Sequence, residues 1–117
     1  MDYLEKTYID NGITYYIDIE TLSAELDIRR GKEGIENYVK SLPKKDEENM
    51  PSGRAVLDWT KKAHSPRNIS QLKCLLDAIS VAYEKVIIPE SVAFDPEYKK
   101  KKIIERQLQL NEKRKRL

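Results

Sequence analysis

The sequence predicts an α+β fold: an N-terminal β-hairpin packed on a small bundle of about four helices, with a basic helix at the C-terminus. Three observations predict it. Asn11-Gly12 joins two segments of alternating polarity. That dipeptide is a strong hairpin signal, because a type I′ turn needs positive φ at both central residues. After Ile19 the apolar residues change to helical spacing,. Finally, Asp95-Pro96-Glu97 opens a segment dense in lysine and arginine.

The elements follow in order. Strands over 3–10 and 13–19, joined by a two-residue loop, set Asp10 opposite Ile13 and Tyr8 opposite Tyr15. Lys6 then faces Ile17, and Leu4 faces Ile19. One sheet face carries Leu4, Tyr8, Ile13, Tyr15, Ile17 and Ile19 and is expected to be buried. A hairpin alone is marginal, so helices must cover it. A short helix over 20–28 carries Leu22 and Leu26. A second, over 33–42, places Ile35, Tyr38, Val39 and Leu42 at i, i+3, i+4 and i+7 and stops at Pro43,. Residues 43–53 lack apolar period and are expected to form an exposed loop. A third helix, over 54–63, has Val56, Trp59 and Ala63 on one face, with Leu57 beside them.

The longest periodic segment, 69–87, predicts a single helix with Leu72, Leu75, Leu76, Ile79, Ala82, Tyr83 and Val86 on its stripe. Asn68 and Gln71 resemble a capping box at its start. Ser65 as cap with Pro66 at the first helical position is the alternative. Pro89 stops the helix. The last helix starts at Asp95 as cap, with Pro96 in its first turn and Glu97 near the positive end of the helix dipole. Its first half is expected to dock through Ile103, Ile104 and Leu108, and its second half to project. Ile103, Leu110 and Leu117 repeat by seven, but the intervening positions a coiled coil would need are Arg106 and Lys113, so no coiled coil is expected,. The domain organisation expected is a compact unit over 1–94 and a basic helix over 95–117.

Composition narrows the function classes. With 39% apolar and 36% charged residues among 117, the chain is a single small domain with a modest core,. It has no run long and apolar enough for a membrane helix, and its first residues do not resemble a secretory signal. One cysteine excludes an internal disulfide and points to an intracellular, cytoplasmic setting, or a nuclear one in a eukaryote,. Chemistry-bearing residues are few. Cys74 falls on or beside an apolar helical stripe, where cysteine usually acts as a small hydrophobe. His64 lies in a loop. One histidine and one cysteine cannot furnish a zinc site, and the glycines match no phosphate-cradling pattern. No enzyme, cofactor or metal is expected.

Charge is the stronger signal. Residues 1–52 carry 7 Lys/Arg against 12 Asp/Glu, and residues 53–117 carry 15 against 8. The basic end invites an acidic partner. The leading expectation is a non-enzymatic accessory or regulatory protein that binds DNA, RNA or a nucleoprotein complex. Arg29, Arg30, Lys32, Lys99, Lys100, Lys101, Lys102, Lys113, Arg114, Lys115 and Arg116 would make the phosphate contacts. The competing expectation is a small protein-binding module or inhibitor of mobile-element type. It would meet a basic partner surface through Asp2, Asp10, Asp18 and Glu20, or add the edge of its first strand to a partner sheet.

Residues 20–42 carry a further alternative, a helix-turn-helix with its second helix in a DNA groove. Ala24 would allow close approach, and Ile35, Val39 and Leu42 would face inward. The connection over 29–32 is long for such a unit, and Glu33, Glu36 and Asn37 would face the DNA. The strand–helix–helix order over about thirty residues also resembles the small KilA-N domain of phage proteins. Tyr38 stands where such domains carry tryptophan, and nothing after Pro43 continues the pattern.

Overall fold

The computed structural model describes residues 7–43 and 48–116. It has the mixed α+β architecture the sequence predicts. Strands β1 (Thr7–Asp10), β2 (Ile13–Ile17) and β3 (Ile87–Pro89) form one antiparallel sheet in the order β1-β2-β3. Asn11 and Gly12 both have positive φ, 51° and 77°, as a type I′ hairpin requires,. The hairpin register is the expected one, with Asp10 opposite Ile13 and Tyr8 opposite Tyr15. The pairings expected for Lys6 and Leu4 lie outside the described residues.

Helices α1 (Ile19–Arg30), α2 (Ile35–Lys40), α3 (Gly53–Thr60) and α4 (Ile69–Ala78) enclose the core. Ile17 of β2, Leu22 and Leu26 of α1, Val39 of α2, Val56 and Trp59 of α3, and Leu72, Leu75 and Leu76 of α4 belong to one buried cluster. Tyr8 and Tyr15 pack against this cluster from the sheet. Ile13, expected on the buried face, is half exposed because it sits at the hairpin tip. Ala63, expected on the inner face of α3, lies past its end and is exposed. The described part of 43–53 is less exposed than expected, since Pro51 is buried and Met50 packs on the core. At the start of α3, a Cβ on Gly53 would lie 2.3 Å from the Glu36 carbonyl oxygen, so only glycine lets α3 approach α2 this closely,.

The main departure from expectation is at 69–87. Asn68 does cap α4, its side-chain oxygen accepting from the Gln71 backbone N–H at 2.9 Å, and Gln71 Oε1 accepts from the Arg67 backbone N–H, one residue before the cap. But the helix stops at Ala78. Ser80 adopts φ +59°, its amide donates to the Asp77 carbonyl, and the Val81 amide donates to the Leu76 carbonyl. That is a Schellman stop with serine in the left-handed position usually held by glycine. The chain then makes a 3₁₀ turn over Tyr83–Lys85 and enters β3, where Ile87 pairs with Ile17 and Ile88 with Tyr16. The β-branched run Val86-Ile87-Ile88 suits a strand better than a helix. Helix α3 ends in the same way, with Lys62 at φ +61°.

After β3 come the short helix α5 (Glu90–Ala93) and the long helix α6 (Pro96–Arg116). Phe94 sets its ring edge-on to Tyr16, 5.4 Å between centroids, on the sheet face away from the main core. Asp95 caps α6 as expected, accepting from the Glu97 amide at 2.9 Å.

Candidate functional site

The described chemistry concentrates where α6 crosses α1. Asp18 precedes α1 and caps it: one carboxylate oxygen accepts from the Thr21 amide at 3.0 Å and the other from the Thr21 hydroxyl at 2.8 Å. The same carboxylate holds α6. Lys102 Nζ lies 2.8 Å from Asp18, and Arg106 Nη2 lies 3.1 Å from it. Lys102 also donates to the Lys85 carbonyl, and Arg106 to the Glu20 carboxylate. Asp18 is fully buried and Lys102 is 2% exposed, so their pair lies away from water, while the Arg106–Glu20 side of the clasp is partly exposed.

The clasp reverses the expected docking of α6. Ile103, Ile104 and Leu108 do not face the globule: they are 63%, 62% and 64% exposed. Tyr98, Lys102 and Arg106 face it instead. The spacing explains the geometry, since Tyr98, Lys102 and Arg106 recur every four residues on one side of the helix. Ile104 lies about 200° around from Lys102. Helical periodicity of apolar residues predicts a buried face only when the apolar side is the one that docks, and here a buried acid selects the basic side. The only sequence signal for this was Asp18 directly before a helix start, read as surface charge.

The expected phosphate-contacting residues therefore fall into distinct environments. Lys99, Lys100 and Lys101 are exposed on α6, and Lys32 is exposed beside α2. Lys102 is turned inward and holds Asp18. Arg29 donates to the Ile79 carbonyl at 2.8 Å and pairs with Glu25. Arg30 pairs with Asp27 at 2.9 Å and donates to the Glu33 carbonyl. Lys113, Arg114, Lys115 and Arg116 continue α6, but their side chains lie outside the described set.

Among the acidic residues of the competing expectation, Asp18 and Glu20 are engaged by α6. Asp10 stands 4.0 Å from Lys73, and Asp2 lies outside the described residues. The two ends of the chain thus answer each other in part: acid from the first half anchors base from the second.

The segment weighed as a helix-turn-helix has a six-residue second helix, α2, with Lys40 paired to Glu36 at 3.2 Å. The start of α3 packs against its backbone. The cleft beside it, about 670 Å³, is lined by Glu25, Ile28, Arg29, Tyr38, Ile79 and Ser80 among others, and the Glu25–Arg29 pair occupies its polar side. The shifted tyrosines both move away from neutral pH. Burial pushes Tyr8 up, and a hydrogen bond to Asp77, with burial second, pushes Tyr83 up. Neither is poised as a base near pH 7.

Among the described residues no cluster of three or more His, Cys, Asp or Glu side chains could hold a metal ion, and no helix is long and apolar enough to cross a membrane. No protein-family model, curated protein or solved structure matches this chain, so the likeness of residues 12–42 to the KilA-N pattern stays a likeness of element order alone.

Proposed function

We propose that this protein is a non-enzymatic accessory protein that binds the backbone of a nucleic acid through the exposed lysines of α6. One observation carries the reading. Three consecutive lysines, Lys99, Lys100 and Lys101, stand exposed on a 21-residue helix whose inward basic residues are already matched by Asp18 and Glu20. Consecutive residues fan around a helix, so these lysines present a positive rod and not a shaped pocket. A rod suits phosphate contact with little sequence preference. The clasp supports the reading from the other side. It fixes the direction of the rod without consuming the lysines that would meet phosphate.

The competing reading, docking of a basic partner on the acidic front, has less to stand on, because Asp18 and Glu20 are occupied within the chain. The test is fluorescence anisotropy with labelled duplex and single-stranded DNA and RNA over a salt series. The full chain is compared with a variant carrying Lys99→Ala, Lys100→Ala and Lys101→Ala. Binding should weaken steeply with salt, and the triple variant should flatten the log–log slope by about one unit per lysine. An absence of binding at low salt, or a slope the triple variant leaves unchanged, overturns the reading.

A further inference from the structure

Phosphate contact does not account for the apolar residues on the outer side of α6. We infer that this side pairs with a second copy of the same helix, antiparallel, about a two-fold axis between Ile104 and Leu108. The helix is inside out, with charge toward its own globule and Ile104 and Leu108 toward solvent. Glu97, Lys101, Ile104, Leu108 and Asn111 are spaced four, three, four and three residues apart, and continuing that spacing reaches Lys115. Only Ile104 and Leu108 on this line are apolar, so the contact is a single apolar turn flanked by polar positions at heptad spacing,. It is a different register from the 103, 110, 117 repeat, and it lies opposite the clasp, about 200° around from Lys102 at Ile104.

The choice of a second copy rests on self-complementarity along this seam. In an antiparallel pair, Ile104 of one chain meets Leu108 of the other at the centre. Lys101 meets Asn111, a cation against an amide that can accept. Glu97 meets the position of Lys115, acid against base. A parallel pair would instead set Lys101 against Lys101 and Glu97 against Glu97. Asp18 holds each globule against the clasp side of its own helix, and Glu84 and Lys85 border the seam beside Lys101 and Ile104. A symmetric contact of this kind closes on itself and does not propagate.

The pairing has a signature opposite in sign to nucleic-acid binding. Outside the clasp α6 keeps an excess of base over acid, so two such helices repel at long range and salt screens the repulsion. Dimerisation should strengthen with salt while nucleic-acid affinity falls, so each can fail without the other.

The experiment is sedimentation equilibrium of the full chain, from tens to hundreds of micromolar, in about 0.1 M and about 0.5 M salt. The mass should rise from the 13.7 kDa of one chain toward twice that value, and more readily at the higher salt. Ile104→Glu and Leu108→Glu should each weaken association at least about tenfold. Ile103→Lys, equally exposed but off the seam, should behave as the parent. Glu97→Lys should weaken association, and adding Lys115→Glu should restore it, which a parallel pair would not show. A parent chain that stays at the single-chain mass throughout overturns the inference. So does a Leu108→Glu variant that dimerises like the parent, an Ile103→Lys variant that loses association equally, or a charge swap that fails to rescue. Glu97, Ile103, Ile104 and Leu108 are solvent-facing in the single chain, and far-UV circular dichroism confirms that each variant is folded.

Discussion

Helices α4 and α6 are attached to the same globule by opposite means. Helix α4 presents Leu72, Leu75 and Leu76 to the core, each with no exposed surface. Helix α6 presents Lys102 and Arg106 to one buried carboxylate and leaves Ile103, Ile104 and Leu108 outside. Apolar attachment is non-directional and grows with buried area. A buried charge clasp contributes less net stability, because desolvation of both partners offsets much of their attraction. What it specifies is geometry: only one rotation of α6 and one position along its axis put Lys102 and Arg106 on Asp18. The contrast suggests a division of labour, in which α4 holds the fold and α6 is aimed.

The largest effect that would test this contrast is on α4. Leu72→Ala or Leu76→Ala should destabilise the protein by about 4 kcal/mol, read as a lower urea midpoint at unchanged slope. A loss below about 1 kcal/mol in either would mean that α4 is not the anchor. Next in size is the clasp. Lys102→Met should cost about 3 kcal/mol, because it leaves Asp18 buried with only the partly exposed Arg106 to balance it,. Adding Asp18→Asn should recover much of that loss. The amide needs no counter-charge, and asparagine still caps α1. If Lys102→Met cost no more than an exposed pair, under about 1 kcal/mol, the clasp would be ornamental and α6 would be loosely held. The clasp also bears on how α6 should be probed. Deleting the helix would strip Asp18 of both its cations, so substitution of the outward lysines is the cleaner route.

The same contrast separates what could be read in the sequence from what could not. The hairpin was legible because Asn11-Gly12 demands a backbone conformation few other dipeptides adopt, and the register followed from loop length alone. The α4 cap was legible for a similar reason, since Asn68 and Gln71 act locally. The end of α4 was hidden. Its left-handed stop falls on Ser80, where a glycine would have announced it, and the apolar stripe runs on through Val86 into a strand with no break in composition. The third strand was lost in the same error. The orientation of α6 was hidden for a deeper reason. Periodicity marks which residues share a face, and burial of that face is an added assumption. The assumption holds when the hydrophobic effect decides the docking, and it failed where an acid 84 residues away in sequence from Lys102 decided it. The candidate site shifted accordingly: Lys99, Lys100 and Lys101 stay outside, while Lys102, beside them in sequence, became part of the structure.

The smallest expected effect gives the sharpest form of the comparison. Ile104→Ser removes an aliphatic side chain, as Leu72→Ala does, but from the solvent side of α6. In the single chain it should change stability by no more than about 0.5 kcal/mol, because little apolar area is lost from the folded interior. Measured in urea at low micromolar concentration and low salt, where paired chains would be scarce, the midpoint should match the parent. A cost of about 2 kcal/mol would mean that α6 spends most of its time rotated, with Ile104 on the globule and Lys102 in water. Such a helix would be held by apolar burial after all, and Lys102→Met would then be nearly silent. The two substitutions therefore have opposite outcomes under the two attachments, and together they decide which side of α6 the globule holds.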